Sequence, residues 1–228
     1  MFGYTEIDDR ILEKFNTDFR YVPNRLLSSL PHEASVRGQL EALSNGYLRG
    51  FYGTLWKPAY GTSRSYGTRP SVPRLHLAPD TEQPGAQLKT LQDIEDYPYW
   101  PDTESTRARQ IMESNAKKAA KRAKQLHETT DYAIVGGAAA YSSERHHFVR
   151  GFTPWFKDMK QNPEFYHAFA TKMLQIGMDT NEIMLNAIGD YIDRVHAGPG
   201  DMGFQQGPMI SLQHFREFCV PYQEKAIA

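Results

Sequence analysis

Cysteine is nearly absent. One thiol, Cys219, in 228 residues excludes an internal disulfide and a zinc site built from several cysteines of this chain. Excess charge of either sign is also missing: 26 basic against 27 acidic residues leave a net charge of −1, where a dedicated nucleic-acid binder would carry a basic surplus. No long hydrophobic run occurs. The longest, Tyr132 to Tyr141, is about ten residues with two glycines, too short to span a bilayer. The start, MFGYTEIDDR, is acidic and lacks the basic and apolar regions of a signal peptide. These absences predict a soluble, cytoplasmic, globular protein that binds neither nucleic acid nor membrane, and the length is enough to bury a core.

What is present changes character along the chain. Residues 45–102 are rich in glycine, proline and tyrosine, as in Tyr60-Gly61-Thr62-Ser63-Arg64-Ser65-Tyr66-Gly67, a composition that breaks helices and favours turns and short strands. The aromatic content is too high for a disordered linker, so the segment is read as a loop or hairpin excursion. Beyond residue 103 the pattern is helical. Met112, Ala116, Ala119, Ala123 and Leu126 recur at spacings of four and three, and the lysines and arginines between them form the solvated side.

Tyr132-Ala133-Ile134-Val135-Gly136 then reads as a buried parallel strand. Asn162-Pro163-Glu164 opens a helix running to about Gly189, with a cap residue, a first-turn proline and an acid at the positive dipole end. Residues 191–196 read as a further strand, and Ser211 caps a helix reaching Ala228. At the other end, Ile7 to Phe15 is amphipathic and Phe19–Val22 a strand. Strand, loop and helix in alternation demand a parallel α/β sheet with helical crossovers. Ligands gather where such strands end, which singles out the loops after Val22, Gly136 and His196.

Those loops carry a family resemblance. Gly189-Asp-Tyr-Ile-Asp193, Gly200-Asp-Met-Gly203-Phe-Gln-Gln-Gly-Pro-Met-Ile-Ser211 and Phe215-Arg-Glu-Phe-Cys-Val-Pro221 resemble the uroporphyrinogen decarboxylase superfamily, most of all its corrinoid-dependent methyltransferase branch. Ile7–Arg20, Gly53-Thr-Leu-Trp56, Leu91–Trp100 and Phe148-Val-Arg150-Gly151 match in the same order, so the resemblance covers nearly the whole chain. It implies an α/β fold, a single (β/α)8 TIM barrel, here incomplete at both ends: a partial barrel over 1–228 with 45–102 as its excursion. The chain is expected to be a fragment with little activity alone.

The resemblance also distributes roles. Asp201 is the candidate catalytic residue, to orient a ligand or act on a proton; the alternative is a turn aspartate accepting backbone N–H bonds. Gln205 and Gln206 follow on that loop, and Gln205 is taken as substrate-binding. Tyr141, Glu144 and His147 line the loop and helix after the strand at 132–136. The true decarboxylases carry a tyrosine near this point; no tyrosine falls at the matching distance, and His147 lies nearest. Adjacent His146 and His147 face different ways, so at most one enters a pocket; both could be ordinary surface histidines. Arg150 could clasp a carboxylate of a ligand or of the protein itself.

The decarboxylases' essential aspartate would fall at Arg25, within Val22-Pro23-Asn24-Arg25, so the acid that holds a tetrapyrrole's N–H groups is missing. The resemblance therefore implies methyl transfer between a small methylated substrate and a corrinoid carried by a partner protein. Uroporphyrinogen decarboxylation in porphyrin biosynthesis is the alternative, and an inactive fragment that only binds a partner is the third. The branch's zinc, held by a His-x-Cys pair and a later cysteine, is matched by no residue here. Zinc and corrinoid are therefore assigned to the complete protein, no metal ligand to this chain, and Cys219 to the role of a small buried hydrophobe.

Overall fold

The computed structural model describes residues 9–27, 41–59, 74–138, 143–198 and 200–228. Its centre is a parallel sheet of three strands, β1 (Phe19–Val22), β6 (Ala133–Gly137) and β7 (Arg194–His196), in the sequential order β1-β6-β7. Phe19 pairs with Ala133 and Tyr21 with Val135; Val135 pairs with Arg194 and Gly137 with His196. Among the described residues this sheet is open. Sequential parallel pairing needs long crossovers, and helices supply them.

The first crossover contains α3 (Thr106–Thr129), capped by Ser105, whose hydroxyl accepts the Ala108 N–H. Its buried residues are Ala108, Met112, Ala116, Ala123 and Leu126, the apolar face expected from the four-and-three spacing. The second contains α4 (Ser143–Arg150), α5 (Phe152–Gln161) and α6 (Pro163–Ile188). Pro163 opens α6 as expected, but the Asn162 side chain makes no capping bond. Its backbone N–H instead closes α5 on the Asp158 carbonyl, so one residue joins two helices.

Side chains alternate across a sheet, which separates its two faces. Val22 and Ile134 point to one face and pack with Met112, Ala116, Leu126, Met184 and Ile188 of α3 and α6. Gly136 shares that face. A Cβ there would come within 2.7 Å of Ile192 and 2.9 Å of Ile188, so the glycine lets α6 approach the strand. Phe19, Tyr21, Val135, Gly137, Arg194 and His196 occupy the opposite face, where Phe19 remains 49 % and Tyr21 46 % exposed.

The stretch after residue 40 folds as an antiparallel sheet in the order β2 (Glu41–Ala42), β3 (Leu48–Arg49), β4 (Leu55–Ala59) and β5 (Arg74–Leu77), followed by a short helix, α2 (Leu91–Glu95). Buried Gln83 clamps it. Its amide oxygen accepts the Leu55 N–H, and its nitrogen donates to the Leu55 and Ala78 carbonyls. α1 (Asp9–Lys14) precedes β1, and its Asp9 pairs with both Arg20 and Arg122.

Two expectations are corrected near the C-terminus. The strand expected over 191–196 is a helical turn over Gly189–Tyr191 and a strand only from Arg194, because Asp193 meets the sheet edge differently: its carboxylate as well as its backbone bonds Ile134. The helix expected from Ser211 to Ala228 is two, α7 (Leu212–Phe218) and α8 (Val220–Ile227). Pro221 has no N–H to continue the first helix and starts the second. Cys219 is therefore at a helix junction rather than mid-helix. The hairpin β8 (Gly203–Phe204) and β9 (Gly207–Pro208) joins β7 to α7.

Candidate functional site

The C-terminal ends of β1, β6 and β7 define one edge. After Val22 the chain turns at Asn24, whose Oδ1 accepts the Leu26 N–H at 3.1 Å, and Arg25 is exposed on this turn. On the face opposite Val22 and Ile134, the rings of Tyr21 and His196 meet edge to face, 6.1 Å between centroids. The middle strand makes this contact feasible. At Gly137 a Cβ would lie 2.6 Å from the Tyr21 hydroxyl and 2.8 Å from the Asn24 nitrogen.

Beyond β6, Tyr141 lies outside the described residues, and so does the side chain of Glu144. His146 and His147 are both buried, which corrects the alternative of ordinary surface histidines. They do face different ways. His146 stacks on Phe169 at 4.8 Å, whereas His147 stacks on Phe152 at 4.1 Å and meets Phe148 and Trp155 edge-on. Burial disfavours each imidazolium. The pKa of His146 is held well below the usual value by burial and then by the charges of Arg150 and His147. His147 is lowered to about 4 by burial, with Asp201 opposing the shift. At neutral pH both rings are uncharged, and the Nδ1 of His147 has no hydrogen-bond partner among the described residues.

Arg150 is spent within the protein. Its Nε and Nη2 donate to the two oxygens of Asp158 at 2.7 and 3.3 Å, its Nη1 to the carbonyls of Gly85 and Leu88, and its guanidinium lies 4.5 Å over the Phe165 ring. Of the two roles open to Arg150, the described contacts are those of the internal one.

Asp201 is exposed, and its Oδ1 accepts the Gly203 N–H at 2.9 Å, starting the β8–β9 hairpin. Its charge reaches His147, so the structure relates these two expected site residues to each other. Gln205 and Gln206 form the exposed hairpin tip. Tyr21, Gly137 and His196 were not singled out from the sequence. Their signal is the period-two alternation that puts Tyr21 and His196 on one face, beside a glycine ending the middle strand.

The described residues do not fit zinc. No three of their histidines, cysteines or acids cluster, and buried Cys219 has its thiol pushed up by burial, with Ser143 and Tyr166 opposing the shift. No described helix is long and apolar enough to cross a membrane. Comparison with models of protein families, with curated proteins and with solved structures finds no match to this chain.

Proposed function

We propose that this chain is part of a uroporphyrinogen decarboxylase-superfamily barrel and acts in methyl transfer between a small methylated substrate and a corrinoid on a partner protein. The family assignment rests on the ordered motif resemblance. Sequential parallel strands with α3 and α6 packed on the face of Val22 and Ile134 are compatible with consecutive units of a (β/α)8 barrel. Small ligands would then gather at the edge that holds Asn24, Arg25 and the loop of Asp201.

The observation that favours methyl transfer over decarboxylation is the turn after β1. Val22-Pro23-Asn24-Arg25 offers no carboxylate, and Arg25 stands exposed there. Decarboxylation of a pyrrole passes through a cationic intermediate that a fixed anion must stabilise, a task typically worth several kcal/mol. An arginine opposes it. Buried, neutral His147 adds no anion either, and Asp201 is the acid assigned to orient the substrate or take up a proton.

The test is an anaerobic incubation of the protein at its full natural length. With reduced cobalamin and a panel of methylated amines, thioethers and aryl ethers, the expected result is methylcobalamin formation, read from the absorbance spectrum. A parallel reaction with uroporphyrinogen is expected to yield no coproporphyrinogen. Its efficient formation would overturn the methyltransferase reading in favour of the decarboxylase.

A further inference from the structure

Positive charge is concentrated on one helix. α3 carries seven basic residues against two acidic ones, in a chain whose net charge is −1. From Ser114 to His127 it holds Lys117, Lys118, Lys121, Arg122 and Lys124 and no acid; Glu113 precedes the stretch and Glu128 follows it. With about 3.6 residues per turn, Lys117, Lys121 and Lys124 form one row, turned away from the side that buries Met112, Ala116 and Ala123. Lys117, Lys118, Lys121 and Lys124 are all exposed. Arg122 is held by Asp9. Lys124 reaches Glu128 at 3.6 Å, a pair more than half exposed on both sides, which water and salt loosen. Lys117, Lys118 and Lys121 form no ion pair with an acid among the described residues, and Lys118 donates to the Asn115 amide oxygen. On the same outward side, nearer the start of the helix, Arg107, Gln110, Ile111, Ser114 and Asn115 line a shallow groove of about 270 Å³.

We propose that this face of α3 is a docking surface for an acidic helix of a partner protein, whose carboxylates at the same four-and-three spacing meet Lys117, Lys121 and Lys124 while the helix continues along the groove. A surface that reads nucleic acid uses arginine forks and stacking aromatics; here lysines predominate, the arginine among them is engaged by Asp9, and no aromatic lies between Arg107 and Gln125. A bilayer surface needs apolar side chains beside the lysines, and the residues between these lysines are alanines. Lysine is a mobile point charge, so the row steers a partner and sets its register, and the complex exchanges rapidly. The second half of α3 leads into the first residue of β6, which places the row toward the end of the sheet opposite Arg25. A partner bound there leaves the strand ends free, and the docking surface does not depend on the reaction proposed above.

The probe is a fluorescein-labelled, alanine-based peptide of about 20 residues, long enough to be helical alone, with glutamates at four-and-three spacing. Its anisotropy is followed against the protein at low and at high NaCl. A peptide of the same composition with scrambled glutamates, a short DNA duplex and vesicles of phosphatidylcholine with phosphatidylserine are compared with it. The expected result is saturable binding of the patterned peptide that salt weakens. Replacing Lys117, Lys121 and Lys124 together by Gln is expected to lower the affinity about tenfold, the span of three exposed pairs. Replacing Lys157, Lys160 and Lys225 by Gln removes the same charge from exposed positions on α5 and α8 and is expected to leave the affinity nearly unchanged. All six lysines are exposed, so unchanged melting temperatures are expected and are checked. No saturable binding, equal losses in the two triple variants, or equal affinity for the scrambled peptide would overturn the proposal. Tighter binding of the duplex or of the vesicles would overturn it as well, giving the face to nucleic acid or to a membrane.

Discussion

Removing the carboxylate of Asp158 should cost more stability than almost any other single change. The side chains of Arg150 and Asp158 are only 7 % and 8 % exposed, and two hydrogen bonds join them. Asp158→Ala would leave the guanidinium buried with only the Gly85 and Leu88 carbonyls as partners. Breaking such a pair from one side typically costs about 3–5 kcal/mol, because an uncompensated charge stays inside. For a protein of this size that corresponds to a fall in Tm of order 10 °C. The assay is equilibrium unfolding in urea with and without 0.5 M NaCl; a buried pair should respond little to salt. The double variant Asp158→Leu with Arg150→Met removes both charges, leaves the two carbonyls short of a donor, and should cost less than the sum of the single changes by about 2 kcal/mol. A cost under about 1 kcal/mol for Asp158→Ala, or strict additivity in the cycle, would refute the argument. Lost ligand affinity in Arg150→Met at unchanged Tm would return Arg150 to a substrate-binding role.

The buried histidines make stability depend on pH. The folded pKa of His147 is lowered, so the unfolded chain binds more protons than the fold below the ordinary histidine pKa; stability falls as pH drops from about 6.5 towards 4, by up to roughly 3 kcal/mol for this residue. His147→Phe should flatten that slope in urea titrations at pH 7 and pH 5, and an unchanged slope would count against a neutral buried ring. Gln83→Leu removes three buried hydrogen bonds of the β4–β5 sheet and should destabilise by about 2–4 kcal/mol, read from unfolding midpoints. Gly151→Ala should destabilise measurably: φ there is +86°, and a Cβ would lie 2.7 Å from the Asp80 oxygen that accepts the Phe152 N–H. Asp201→Asn should reduce turnover of the full-length protein at nearly unchanged Tm, since the residue is exposed; a large fall in Tm would assign it to the hairpin turn alone.

Local order was legible because its physics is local. The four-and-three spacing of Met112 to Leu126 marks a helix face whatever lies opposite, and Pro163 or Pro221 restricts its own backbone without reference to distant partners. Short apolar runs such as Ala133–Gly137 announce a strand for the same reason. The break of the last helix is encoded in Pro221, although the apolar pattern continues on both sides of it.

The partners of polar side chains were decided only in three dimensions. From the sequence Arg150 could face a ligand or the protein; the choice depended on bringing α5 back so that Asp158 met it, and on the Gly85 and Leu88 carbonyls arriving from sixty residues away. His146 and His147 look alike as a pair of polar residues, yet packing against Phe169 and Phe152 makes both neutral. Tyr21 and His196 are far apart in the chain, and alternation within each strand does not by itself bring them together. Parallel pairing through β6, in a register that puts a glycine between them, makes them neighbours, since an interaction that depends on distance exists only once strands far apart in the chain lie side by side.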